Sequence, residues 1–211
     1  MDFSPKNVDE NVKKSLKNLE ILLCGRKLLS EIMLLKKIAT KIGLRLRKSK
    51  YSKALLQTIR CWDKFEHKFK CDFNKIKIII IDKPDQEICD EIVNKFLDNS
   101  VILEKICFLT KRTFDLAEYW HELKQLMVHF MVVSCVSARL NILFKAIFVY
   151  YFNICQYIAG YNSKFDEKIQ KVQKSMKQLN IQSLDKPRPR QVLTSKGNFF
   201  IFNLFFSKIQ N

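Results

Sequence analysis

The chain has 211 residues and a formal net charge of +17 at pH 7, whereas small soluble domains usually stay within single digits of neutrality. This length suits one domain with a short appendage and argues against a second full domain. The charge predicts a polyanionic partner, either nucleic acid or an anionic membrane surface.

The cysteines and the N-terminal residues indicate the cellular compartment in which the protein is expected. The seven cysteines are odd in number, widely spaced and never form a C-x-x-C pair, which favours reduced thiols inside a cell. Residues 1–18 alternate Lys with Asp and Glu, so we expect no secretory signal there. The sequence therefore predicts a cytosolic or nuclear protein.

The first half of the chain is predicted to be mainly helical. Apolar residues recur at threes and fours from 8 to 42, which indicates a helix face, with a possible kink at Gly25. A second helix is predicted from a capping Ser49 to Glu66. Residues 76–81 form a β-branched run that predicts a short strand or extended connector.

Helical spacing returns over 85–99 and 101–161, and residues 126–158 are apolar nearly all the way round. A helix of that kind is either buried centrally or lies in lipid. One more amphipathic helix is predicted over 163–179, capped by Ser163. We therefore predict an all-α helical bundle with a long central apolar helix, a domain over 1–180 and an irregular tail over 181–211.

Positive charge is concentrated in one part of the chain. Residues 36–70 carry twelve Lys or Arg against two acidic residues, and residues 71–163 carry ten against eleven. This suits a neutral helical scaffold that presents a basic loop and helix to phosphates. The residues predicted to bind RNA are Arg45, Arg47, Lys48, Lys50, Tyr51, Lys53 and Arg60. The alternative is a lysine-rich face that only keeps the protein solvated.

No pattern for catalysis or for a bound metal is evident. The sequence has no Gly-rich phosphate loop, no H-E-x-x-H motif and no G-x-S-x-G motif. None of its histidines is spaced from a cysteine as the ligands of a zinc site are. We therefore predict a protein that is not an enzyme and has no catalytic residue, no metal, no cofactor and no small-molecule substrate.

Arg139 interrupts the apolar run, and a buried arginine needs a partner. We predict a structural role, in which Arg139 faces a polar seam or an acidic residue of another helix, such as Glu31 or Asp115; the alternative is direct contact with RNA. The rival function is a membrane-associated helical protein anchored through 126–158. Arg139 and Lys145 argue against it, because each charge near the centre of a span costs about 2.5 to 3.5 kcal/mol.

Two blocks carry a resemblance to a known family. Residues 131–147, MVVSCVSARLNILFKAI, look like the long apolar helix of the nucleolus and neural progenitor (Nepro) family, in which a serine-arginine-leucine step also precedes a lysine. Residues 44–60, LRLRKSKYSKALLQTIR, resemble that family's basic loop leading into a helix. The same blocks resemble the small protein subunit specific to fungal RNase MRP, with Tyr119-Trp120 in the place of its tryptophan-bearing segment.

The resemblance covers roughly residues 15–160 and implies a function. It implies a helical domain in the nucleus and nucleolus that binds the structured RNA of a ribonucleoprotein of the RNase MRP type, beside other protein subunits. In such a particle RNA, not protein, cleaves the pre-ribosomal RNA. The resemblance also implies a role in neural progenitor maintenance.

Overall fold

The computed structural model describes residues 10–43, 46, 49–81, 86–122, 127–160 and 163–181. In these ranges the chain forms helices and no strand. The helices are α1 (Glu10–Cys24), α2 (Arg26–Gly43), α3 (Lys50–Ile81), α4 (Gln86–Glu122), α5 (Met127–Ala159) and α6 (Asp166–Gln178), and a 3-10 turn at Ser163–Phe165 precedes α6. The predicted all-α class is confirmed. Residues 182–211, where the tail is predicted, lie outside the described part.

The predicted kink at Gly25 is a full break between α1 and α2. A Cβ atom at this position would lie 2.4 Å from the carbonyl oxygen of Ile21, which is closer than the two atoms can approach. A residue with a side chain would therefore force the backbone of α1 to move. The close approach of residue 25 to the Ile21 carbonyl therefore requires glycine.

The predicted strand at 76–81 is wrong, because these residues are the last turns of α3. The apolar stripe of α3 continues without interruption through Phe65, Phe69, Phe73 and Ile76, all of which are buried. Spacings of four, four and three keep these side chains on one helix face. Packing along that face outweighs the β propensity of the isoleucine run.

Two other predicted helix features differ from the structure. α4 continues through residue 100, where the sequence suggested an interruption. Ser163 does not cap α6: the N-cap is Phe165, with no side-chain cap hydrogen bond, and Ser163 instead begins the 3-10 turn.

α5 is the central helix, as predicted. It packs against α1, α2 and α4, and it meets α3 through rings, with Trp62 and Phe144 centroids 5.3 Å apart and Phe69 and Tyr151 centroids 5.0 Å apart. Its fully buried side chains include Phe130, Val133, Val136, Leu140, Ile147, Phe148 and Ile154.

By length and composition alone, the stretch Val128–Ala159 of α5 could also cross a membrane. Half of its apolar window is buried inside the bundle. The core helix of a water-soluble bundle has the same properties, so the apolar character of α5 does not by itself choose between the two environments.

Candidate nucleic-acid interface

The N-cap of α3 fixes which of its side chains face outward. The backbone N–H of Ser52 donates to the Oγ atom of Ser49 at 3.0 Å, the contact that a serine N-cap makes with the third helical residue. The cap predicted at Ser49 is confirmed. From this start the helix buries one side against α2, α4 and α5 and leaves the other side exposed.

Five basic residues share the exposed side, and we call them the basic face of α3. They are Lys50, Lys53, Arg60, Lys64 and Lys68, and all five are exposed. At the helical period they fall within an arc of about 100°, opposite the buried stripe. The first and last of them are separated by about 27 Å along the helix axis.

The basic face contains three of the predicted RNA-binding residues, namely Lys50, Lys53 and Arg60. Arg45, Arg47 and Lys48 lie outside the described residues, so their part in the interface stays a prediction.

Lys64 and Lys68 extend the basic face beyond the predicted site. Lys64 falls on the same side of the predicted helix but was not expected to bind. Lys68 was missed because that helix was predicted to end at Glu66. The apolar stripe beyond Glu66 is the signal that could have extended both the helix and the site.

The described residues do not neutralise the charge of the basic face. Among the described residues, no carboxylate forms an ion pair with any of its five side chains. Asp63, which lies on the neighbouring flank of α3, pairs instead with Lys36 of α2, with Nζ and Oδ1 2.6 Å apart. Within the described part of the chain, the positive charge of the face therefore stays available to a partner.

Lys75, the next lysine of α3 whose side chain the structure describes, is different. The Nζ atom of Lys75 lies 3.2 Å from Oε1 of Glu91 on α4, and Lys95 reaches the same oxygen at 2.7 Å. Hydrogen bonds from Lys95 and Lys75 lower the pKa of Glu91. The stretch of uncompensated charge therefore ends between Lys68 and Lys75.

Tyr51 was predicted to contact RNA, and the structure corrects this. Its side chain is fully buried, and its ring meets that of Phe130 edge-on at a centroid distance of 5.0 Å. Burial raises the pKa of the Tyr51 hydroxyl. A side chain without exposed surface cannot stack on a base or reach a phosphate, so Tyr51 is a core residue.

Arg139 lies opposite Glu31, one of the two partners that the sequence suggested. Its Nε atom is 2.7 Å from Oε1 of Glu31, and its Nη2 atom donates to Oε2 at 3.1 Å. The two-point contact joins α5 to α2 and leaves the arginine side chain 39% exposed and the glutamate 18% exposed. Arg139 thus links α5 to α2.

The described residues hold no group of three or more His, Cys, Asp or Glu placed to bind a metal ion. Burial raises the pKa of the Cys107 thiol to about 12 and also raises that of Cys155. Both thiols therefore stay protonated at neutral pH, and a protonated thiol is a poor nucleophile.

No known protein family, curated protein or solved structure matches this chain. The site therefore has to be judged on its own geometry and charge.

Proposed function

We propose that this chain is a non-enzymatic, RNA-binding subunit of a nucleolar ribonucleoprotein of the RNase MRP type, which supports processing of pre-ribosomal RNA. The observation that supports RNA binding is the uncompensated basic face of α3. The nucleolar particle, its other subunits and a role in neural progenitor maintenance follow from the family resemblance of residues 44–60 and 131–147.

Phosphate binding is the chemistry that this face suits best. Each lysine or arginine that neutralises a phosphate releases condensed counterions, so affinity falls as salt rises. Arg60 adds a planar group that can hold a phosphate through two hydrogen bonds. Five such contacts to single-stranded RNA would give a slope of about −3.5 in a plot of log affinity against log salt.

The competing explanation is a lysine-rich surface that only solvates the protein. A matched pair of variants separates the two. The first replaces Lys53, Arg60 and Lys64 of the basic face by Gln, and the second replaces Lys13, Lys14 and Lys17 of α1, which are also exposed. Both remove three positive charges from exposed helix positions.

RNA binding by both variants is measured by fluorescence anisotropy at several salt concentrations. We expect the α3 variant to bind more weakly at low salt and its slope to become shallower by about 2 units, because three phosphate contacts are lost. We expect the α1 variant to keep most of the wild-type affinity. Equal losses in the two variants, or a flat salt response of the wild type, would refute a defined phosphate site on α3.

The particle is tested separately, by purifying the tagged protein from nuclei with and without RNase and sequencing the RNA that it retains. We expect protein partners that depend on RNA, and one enriched non-coding RNA. Partners that survive RNase treatment, with no enriched RNA, would instead identify a protein-interaction scaffold.

A further inference from the structure

α4 carries a second exposed row, in which aromatic and basic side chains alternate. We call Lys105, Phe108, Arg112 and Tyr119 the α4 row. Phe108 is 54% exposed and Tyr119 is 57% exposed, and both basic residues are exposed as well. Their spacing keeps all four on one side of α4.

α3 and α4 pack side by side and run in opposite directions. The α4 row and the basic face are both exposed and both lie away from the contacts that these helices make with α5, so the two rows run alongside each other. The hydroxyl oxygens of Thr58 and Thr113 are 3.5 Å apart, and further along Lys75 meets Glu91. Residue numbers therefore rise along α3 as they fall along α4. Arg112 is next to Thr113 in sequence and so lies at the level of the middle of the basic face.

A chain of rings links Tyr119 to the start of α3. The centroids of Tyr119 and Trp120 are 6.4 Å apart, those of Trp120 and Phe130 are 5.8 Å apart and nearly parallel, and those of Phe130 and Tyr51 are 5.0 Å apart. Lys50 and Lys53 flank Tyr51 in sequence. Tyr119 thus lies at the same end of the bundle as the first two cations of the basic face.

This packing also supports the Tyr119 ring from behind. Trp120 is partly buried against the core and holds one edge of the exposed ring. A rigid ring loses little conformational entropy when a flat group stacks on it, which is why tyrosine suits this role. The row has unfavourable neighbours: Asp115 lies one turn before Tyr119, Glu118 directly precedes it, and Glu104 lies one turn before Phe108. The aromatic positions are therefore better suited to uncharged bases than to phosphates.

We propose that Phe108 and Tyr119 stack unpaired RNA bases while the basic face of α3 holds the phosphates, so that the combined surface binds single-stranded RNA in preference to duplex. The inference rests on the proposed RNA-binding function and narrows its substrate class. Bases in a duplex are already stacked and paired, whereas unpaired bases expose flat faces to aromatic side chains. Positive charge beside exposed rings is the combination found in proteins that bind single strands.

The test compares two labelled probes, an oligouridylate of about twelve nucleotides, a length within the usual range for one single-strand site, and an RNA duplex of the same length. Phe108→Leu and Tyr119→Leu keep an apolar side chain but remove the ring. We expect each to weaken oligouridylate binding about tenfold, as loss of one stacked base does, and to leave duplex binding and the salt slope unchanged.

Two further variants control for surface changes and for folding. Ile142→Ala alters an aliphatic side chain of α5 that is 65% exposed and should bind both probes as the wild type does. Tyr119→Phe keeps the ring and should restore oligouridylate binding. Circular dichroism and thermal melting check that each variant is folded.

The outcomes separate this inference from the proposed function. If the ring variants bind oligouridylate normally, or lose affinity for both probes equally, the stacking role is refuted; RNA binding by α3 still stands if its Gln variant is weakened. If the wild type binds neither probe, both proposals fail. Selective loss of oligouridylate binding with rescue by Tyr119→Phe supports base stacking, because a merely structural role would not distinguish the probes.

Discussion

Tyr51 shows why a single side chain can mislead at the sequence level. Its position near Lys50 and Lys53 suggested an aromatic side chain that contacts RNA beside basic residues. Its spacing with Leu55 and Trp62, however, also places it on the apolar side of α3. Both readings are local, and the ring of Phe130, nearly eighty positions later in the sequence, decides between them. Contacts of such long range are not visible in the spacing of one helix.

A conservative substitution tests this assignment of Tyr51. The Tyr51 hydroxyl is buried and has no hydrogen-bond partner among the described residues, so Tyr51→Phe removes a polar group that is costly to bury. We expect the free energy of unfolding to rise by about 1 kcal/mol, measured by urea denaturation, and RNA affinity to stay the same. A drop in RNA affinity with unchanged stability would return Tyr51 to the interface.

The same substitution has a pH signature. Because burial raises the pKa of Tyr51 above its ordinary value of 10.0, the unfolded chain loses this proton first as pH rises. The contribution of the protonated Tyr51 hydroxyl to the free energy of unfolding is therefore fully present below pH 10 and is lost as the pH rises above it. Tyr51→Phe should lack this part of the alkaline decline in stability, and Phe130→Leu, which keeps the hydroxyl, should retain it.

Arg139 and Glu31 allow a second test at this scale. The pair is only partly buried, so its coupling should lie between that of exposed pairs, up to about 1 kcal/mol, and that of buried pairs, about 3 kcal/mol or more. A double-mutant cycle with Glu31→Gln and Arg139→Gln should give a coupling energy of about 1 to 2 kcal/mol. We expect no change in RNA binding. Weaker RNA binding by Arg139→Gln alone would contradict a purely structural role.

At the scale of helices, the sequence predicts that a helix is present better than it predicts where the helix ends. The cap at Ser49 was predicted correctly, and Gly25 was predicted as a kink where the structure has a break; both features depend on one residue and its nearest neighbours. The extent of α3 was underestimated, because the isoleucines near its end have high β propensity. The buried stripe that continues through Phe69, Phe73 and Ile76 favours helix there. The same error left Lys68 out of the predicted site, so an error in the end of a helix became an error in the set of predicted RNA-binding residues.

The break between α1 and α2 gives a prediction at this scale. Alanine usually favours helix over glycine by about 1 kcal/mol, so Gly25→Ala would stabilise an ordinary helix. Here its Cβ would collide with the carbonyl oxygen of Ile21, and we expect the free energy of unfolding to fall by more than about 1 kcal/mol. Arg26→Ala, at the adjacent exposed position, serves as the control and should change stability little. A stabilised Gly25→Ala variant would mean that α1 and α2 can form one continuous helix.

For the whole molecule, the central question is the environment of α5. Helices α1, α2, α3 and α4 pack against it and bury half of its apolar window without lipid. The amino-acid pattern predicted a helix that was apolar on all sides, but it could not tell protein neighbours from acyl chains, because both remove apolar side chains from water. The distribution of charge along the chain was more informative about the candidate site than the apolar pattern of α5 was about its environment. Lys50, Lys53 and Arg60 do fall on one exposed face of α3.

A charge placed on the outer side of α5 distinguishes the two environments. Ile142 is 65% exposed and Val136 is fully buried in the bundle. If α5 is the core of a water-soluble bundle, Ile142→Lys should change the free energy of unfolding by no more than about 0.5 kcal/mol, while Val136→Lys should prevent folding. Both are checked by thermal melting of the purified proteins.

If α5 instead spans a membrane, Ile142→Lys adds a third charge near Arg139 and Lys145 and should cost about 2.5 to 3.5 kcal/mol of insertion free energy. The wild type would then stay with membranes after carbonate extraction, and Ile142→Lys would be released. We expect wild type and variant to be extracted alike, because in the bundle residue 142 already faces water. Release of the variant alone would overturn the water-soluble bundle and, with it, the placement of the basic face of α3 opposite an RNA.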